Sequence, residues 1–184
     1  MLKTEIFKKY NNVENILEKE ESIRLDLLGD PENINKLREL AALTYYRKNY
    51  QCSINIYEKL IKLEGENGDN FAFLGFLHYE LDELEEAIKY FLEAISKIKN
   101  ATFVNFLLGN AYSRIGNIVE ATKHFDLAIF SDIDIYTLHL EFANKYEEMG
   151  RYKKALREYR AAYGIDPRDR NILDKIVLLK QKIK

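Results

Sequence analysis

The chain has 184 residues, 47% of them apolar and 32% charged, with 13 tyrosines, 10 phenylalanines, 2 prolines and 8 glycines. That apolar share can bury one substantial core, which excludes a disordered tail, and the scarcity of proline and glycine excludes an all-β domain with its frequent turn signals. A net charge of −2 supplies no general attraction to phosphate or anionic lipid. Cys52 is the single cysteine, so no disulfide framework or cysteine zinc cluster is available; a small core residue of a reducing compartment is expected. Residues 1–10 carry charges where a signal peptide needs an apolar run, and nothing later approaches the roughly 20 apolar residues of a membrane span. A cytoplasmic chain without membrane insertion is expected.

Residues 1–30 read as an N-terminal helical segment. Ile6, Tyr10, Ile16, Ile23 and Pro31 keep phase with the pattern that follows, yet Lys19 and Asp26 fill slots that should be small, so a degenerate repeat and an unrelated helical hairpin both stand. Gly29-Asp30-Pro31 marks the boundary, and residues 31–184 read as one domain. Within it Leu40-Ala41, Leu74-Gly75, Leu108-Gly109 and Phe142-Ala143 recur every 34 residues, as do Ala87, Ala121 and Ala155. The units run about 34–67, 68–101, 102–135 and 136–169. In the second, Phe71, Leu74, Gly75 and His78 form one helical face, and Leu84, Ala87, Ile88, Phe91, Ala94 and Ile95 form another. Two amphipathic helices per unit follow. Gly75, Gly109 and the recurring alanines are small where helices cross at the ordinary separation of about 8–10 Å. Leu81-Asp82, Ile115-Gly116-Asn117 and Met149-Gly150-Arg151 predict tight turns, with Gly116 and Gly150 at positive φ. Residues 170–184 read as a capping helix, with Leu173, Ile176, Val177, Leu179 and Ile183 on one side and Arg170, Lys175, Lys180 and Lys182 on others.

This pattern resembles the tetratricopeptide repeat family, whose 34-residue unit runs W-x2-L-G-x2-Y, A-x3-F, P. The opening aromatic is replaced by Leu37, Phe71, Asn105 and His139, and the closing proline remains only as Pro167. The resemblance implies an all-α fold, a right-handed α-solenoid of stacked antiparallel helix pairs, in which first helices line a concave ligand-binding side.

The first-helix face opposite the packing stripe should be polar on an ordinary surface helix. Here it carries Tyr45 and Tyr46, then Phe73, Phe76 and Tyr79, then Phe103, Phe106 and Leu107, with Arg38, Asn110, Arg114 and Asn144 in the same phase. An aromatic-lined groove for an apolar peptide or helix of a partner protein is therefore expected, with the rings as anchors and the polar residues fixing orientation. On that reading Phe73→Ala with Phe106→Ala leaves melting nearly unchanged. The same face suits packing between units, or cover by the N-terminal segment or a second copy, which gives a self-associating scaffold or homodimer. Some family members clamp a peptide carboxylate with bases and amides, but Phe106 and Glu141 stand where those would be.

No catalytic function, cofactor or metal site is expected. His78, His124 and His139 lie in different units, with His78 and His139 in core slots and His124 at the surface, and no phosphate loop or nucleophile elbow occurs. An RNA-binding helical repeat is the alternative, but the groove phase sets Arg38 and Arg114 against Glu39, Asp69, Glu80, Glu141, Glu147 and Glu148. A protein adaptor or chaperone is the better reading.

Overall fold

The computed structural model describes residues 2–8 and 13–183, the side chains of Val13 and Glu14 apart; Tyr10 lies outside the described residues. Among the described residues every regular element is a helix: α1 (Leu2–Ile6), α2 (Val13–Gly29), α3 (Ile34–Tyr46), α4 (Tyr50–Glu64), α5 (Gly68–Glu80), α6 (Leu84–Lys97), α7 (Thr102–Arg114), α8 (Ile118–Ile129), α9 (Ile135–Glu148), α10 (Tyr152–Ile165) and α11 (Arg170–Lys182). None of them is long and apolar enough to cross a membrane. The chain forms two compact units, Met1–Leu127 and Ala128–Lys184. Each is a stack of antiparallel helix pairs, the α-solenoid architecture.

Helix starts follow capping chemistry. The side chains of Asn33, Asn49, Asn67, Asp134 and Asp169 accept from backbone N–H groups one turn into α3, α4, α5, α9 and α11. The turns inside the pairs repeat one geometry. Lys48, Asp82, Gly116 and Gly150 all have φ between 64° and 82°. The next residue's N–H then reaches back to the preceding helix, from Asn49 to Thr44, Glu83 to His78, Asn117 to Tyr112 and Arg151 to Tyr146, at 2.8–3.0 Å. Glycine serves this left-handed position in two turns, as expected, and Lys48 and Asp82 occupy it in the others. An L-residue there costs about 1 kcal/mol, partly offset by the chain entropy glycine loses on folding. Lys48→Gly should therefore stabilise the first unit by roughly 0.5 kcal/mol, read as a rise in urea midpoint at unchanged slope.

In the first unit α2 packs on α3, α3 on α4, α4 on α5, α5 on α6 and α6 on α7. Close approach explains the small residues. A Cβ on Gly75 would stand 2.8 Å from the Phe91 ring, and one on Gly109 2.6 Å from Phe125. Buried Glu20 ties α2 to α3: its carboxylate accepts from Arg24 at 2.8 Å and from Arg47 at 2.6 Å. Burial alone would raise its pKa, but the hydrogen bonds from Arg47 and Arg24 outweigh it and hold the carboxyl below its ordinary value.

His124 is not at the surface. It is 3% exposed, stacked on Tyr112 at 5.5 Å between ring centroids, with Nδ1 2.8 Å from the Asn105 side-chain oxygen. Asn105, polar where the repeat wants an aromatic, is its partner. The second unit repeats the device with His139 Nδ1 2.9 Å from Glu158, both buried.

The second unit packs α9 on α10 and α10 on α11. Tyr159 donates to Asn144 at 2.7 Å and Glu147 at 3.0 Å, and burial first, then the Glu147 bond, push its phenol pKa upward. Lys175 of α11 reaches Glu147 at 3.0 Å. The buried side of α11 is Ile172, Ile176 and Leu179, whereas Leu173 and Val177, expected on that side, are exposed. They sit about 100° round the helix from the packing stripe, beyond the reach of α10.

Candidate functional site

Eleven of the twelve residues expected in the groove lie on α3, α5 and α7 of the first unit. Asn144 lies on α9 in the second unit and accepts the Tyr159 hydroxyl. The rings among them meet one another and rings of the second helices rather than standing as a row of separate anchors. Tyr45 and Phe76 meet edge to face at 5.6 Å, Phe76 and Tyr79 stack at 6.5 Å, and Phe103 and Phe106 stack at 6.2 Å. Phe73 stacks on Tyr57 of α4 at 4.9 Å, and Phe106 meets Phe125 of α8 at 6.3 Å.

The row is not open to solvent as the repeat phase suggested. Tyr45, Phe73, Phe76, Tyr79, Phe106 and Leu107 are buried, while Tyr46, Phe103, Asn110 and the two arginines are half-buried. Two causes act together. First-helix rings fill the space between neighbouring repeats, where Phe73 finds Tyr57, and the space between the two helices of one repeat, where Phe106 finds Phe125. The other cause is α1, which packs on α5. Its Leu2 and Ile6, one helical turn apart, are 4% and 1% exposed, and Phe7 beside them meets Phe103 edge to face at 6.4 Å. Lys3 lies 5.9 Å above the Phe7 ring. Between α1 and the first helices remains a small apolar cavity lined by Glu5, Ala42, Tyr45, Phe73, Phe76 and Leu77, among others. The i, i+4 spacing of Leu2 and Ile6 was a readable amphipathic signal; its destination was not.

The cations of this face are engaged. Arg38 donates to Glu64 at 2.6 Å, and Glu64 also accepts from Asn70 at 2.8 Å. Burial pushes the Glu64 carboxyl up, but Asn70 and Arg38 together hold it below its ordinary value. Arg114 contacts Asp82 at 2.5 Å and lies 4.9 Å above the Tyr79 ring. Each arginine still has one buried nitrogen without a hydrogen-bond partner among the described residues, Nε of Arg38 and Nη1 of Arg114. Among the described residues no group of three His, Cys, Asp or Glu side chains is arranged to hold a metal ion.

The helix-pair stack, the shared turn geometry and the small residues at the crossings describe one repeating unit. A family model for the tetratricopeptide repeat matches residues 69–96 and 137–169. The chain carries tetratricopeptide repeats. Solved structures share this tetratricopeptide fold. That of MamA is 19% identical over 79% of this chain and 85% of its own, with a TM-score of 0.61. A tetratricopeptide repeat protein from Parabacteroides merdae is 18% identical over 89% of this chain and 65% of its own, with a TM-score of 0.64. The chain is also 23% identical over 108 residues to the general transcriptional corepressor trfA of Dictyostelium discoideum, a match to 58% of this chain that spans 8% of the corepressor. Tetratricopeptide repeats mediate protein–protein interaction, so the tetratricopeptide face of α3, α5 and α7, with α1 seated on it, is the candidate site.

Proposed function

We propose that the chain is a non-catalytic cytoplasmic adaptor or chaperone, whose α3–α5–α7 face receives a short apolar helix of a partner protein. The observation that carries this reading is α1 itself, a five-residue helix held on that face through Leu2 and Ile6. A surface that buries two aliphatic side chains one turn apart will accept the same pattern from another protein. Phe103 offers a half-buried ring edge for an aromatic beside it. The match to a corepressor agrees with a role in joining proteins. A phosphate chain finds less here, because Glu64 and Asp82 neutralise Arg38 and Arg114.

Peptide-library selection on the full chain carrying Leu2→Asp and Ile6→Asp, which uncovers the face, tests the reading. The expected consensus is helical, with aliphatic residues at i and i+4 and an aromatic next to the second. Enrichment of extended or acidic C-terminal peptides, or no enrichment on a folded protein, would overturn it.

A further inference from the structure

Both α2 and α11 turn apolar side chains away from the neighbours on which they pack. α2 buries Ile16, Glu20 and Ile23, and its opposite side carries Leu17, Leu25 and Leu28, at 47%, 61% and 79% exposure. At 100° per residue these leucines share a sector about 100° wide with exposed Glu18 and Glu21. α11 buries Ile172, Ile176 and Leu179 and leaves Leu173 and Val177 at 41% and 49% exposure. Exposed Arg170 and Lys180 flank that pair in a sector of similar width. The charges of the two helices are opposite. α2 has five acidic residues against two basic, and α11 has four basic against one acidic.

We propose that α2 of one copy packs against α11 of a second copy of this chain. Each face exposes large apolar side chains interleaved with charge on one side of its helix, a pattern suited to an interaction site. Together they match in chemistry, with Leu17, Leu25 and Leu28 against Leu173 and Val177, and Glu18 and Glu21 against Arg170 and Lys180. The contact is heterologous, joining two different surfaces. A like-with-like pairing of two α2 helices would set glutamates against glutamates, which selects against it. One helix pair buries little area, so association is weak and concentration-dependent, and its exposed charges make it sensitive to salt. This contact does not involve the face under α1.

Sedimentation velocity over a concentration series tests the pairing with two charge-reversed proteins, Glu18→Lys/Glu21→Lys and Arg170→Glu/Lys180→Glu. All four positions are exposed, so far-UV spectra stay unchanged. The wild type should show mass rising with concentration, and its association should weaken about tenfold or more between low and high salt. Each reversed protein alone should sediment as a monomer, and their equimolar mixture should regain the wild type's concentration-dependent rise in mass, since the α2 of each protein then meets an α11 of opposite charge on the other. A wild type that stays monomeric at every concentration, self-association indifferent to the reversals, or a mixture that fails to pair would each overturn the proposal.

Discussion

Replacing His139 by alanine should lower the stability of the second unit by about 3 kcal/mol, because it leaves the buried Glu158 carboxylate without its nearest partner. Arg157, whose Nε lies 3.2 Å from Glu158, retains part of the compensation, which keeps the loss at the lower end of the range for broken buried pairs. The repeat supplies its own control. The two slots joined by His139 and Glu158 hold Phe71 and Tyr90 two periods earlier. The double substitution His139→Phe with Glu158→Tyr should recover stability to within about 1 kcal/mol of the wild type, since an apolar pair of suitable volume can replace a buried hydrogen-bonded polar pair. Hydrogen exchange of the α9 and α10 amides reads both effects where they occur. Acid sensitivity follows the same pair. Burial pushes the Glu158 carboxyl up, but the His139 hydrogen bond and the Arg157 charge outweigh it and hold it below its ordinary value. Its contribution is therefore present above the ordinary carboxylate pKa and lost as pH falls through the lowered folded value. The double variant should lose that component of acid unfolding.

Phe106→Ala should destabilise the first unit by about 3–5 kcal/mol. Phe106 is 0% exposed and lies between Phe103 and the Phe125 ring of α8, so truncation opens a cavity that helices crossing at Gly109 cannot close. A thermal melt should show a loss of roughly 10 °C at a few degrees per kcal/mol. Phe103→Ala is the contrast. That ring is half-buried and also meets Phe7 edge to face, so its loss should move the melt far less than the loss of Phe106 while loosening α1. Equal melts for the two variants would mean that the face is not divided into a core ring and a contact ring in this way.

Much of the fold is legible in the sequence because the repeat is written in side-chain size. Ala87, Ala121 and Ala155, with Gly75 and Gly109, mark the crossings, and the apolar stripes mark both helices of each pair. The turns were half legible: Gly116 and Gly150 announce positive φ, but Lys48 and Asp82 adopt it because the surrounding hydrogen bonds impose the same turn. The polar residues in packing slots were harder. Asn105 and His124 each look out of place alone, and their sense appears only when both slots are taken as one contact. The site divides the same way. Repeat phase identifies the face that bears Tyr45, Phe76 and Phe103, because phase fixes direction around a helix. It does not say what lies over that face, since α1 stands outside the repeat.

Fluorescence anisotropy of a labelled peptide of residues 1–8 tests the binding face most directly. With the full chain carrying Leu2→Asp and Ile6→Asp, binding should be saturable. The wild type, whose face is occupied by its own α1, should bind the peptide about tenfold more weakly or less, in proportion to the fraction of open face. Adding Phe103→Asp to the first protein should abolish binding without changing its helical spectrum. Anisotropy that stays flat with a folded, uncovered protein, or binding indifferent to Phe103→Asp, would contradict an aromatic face built to hold a short apolar helix.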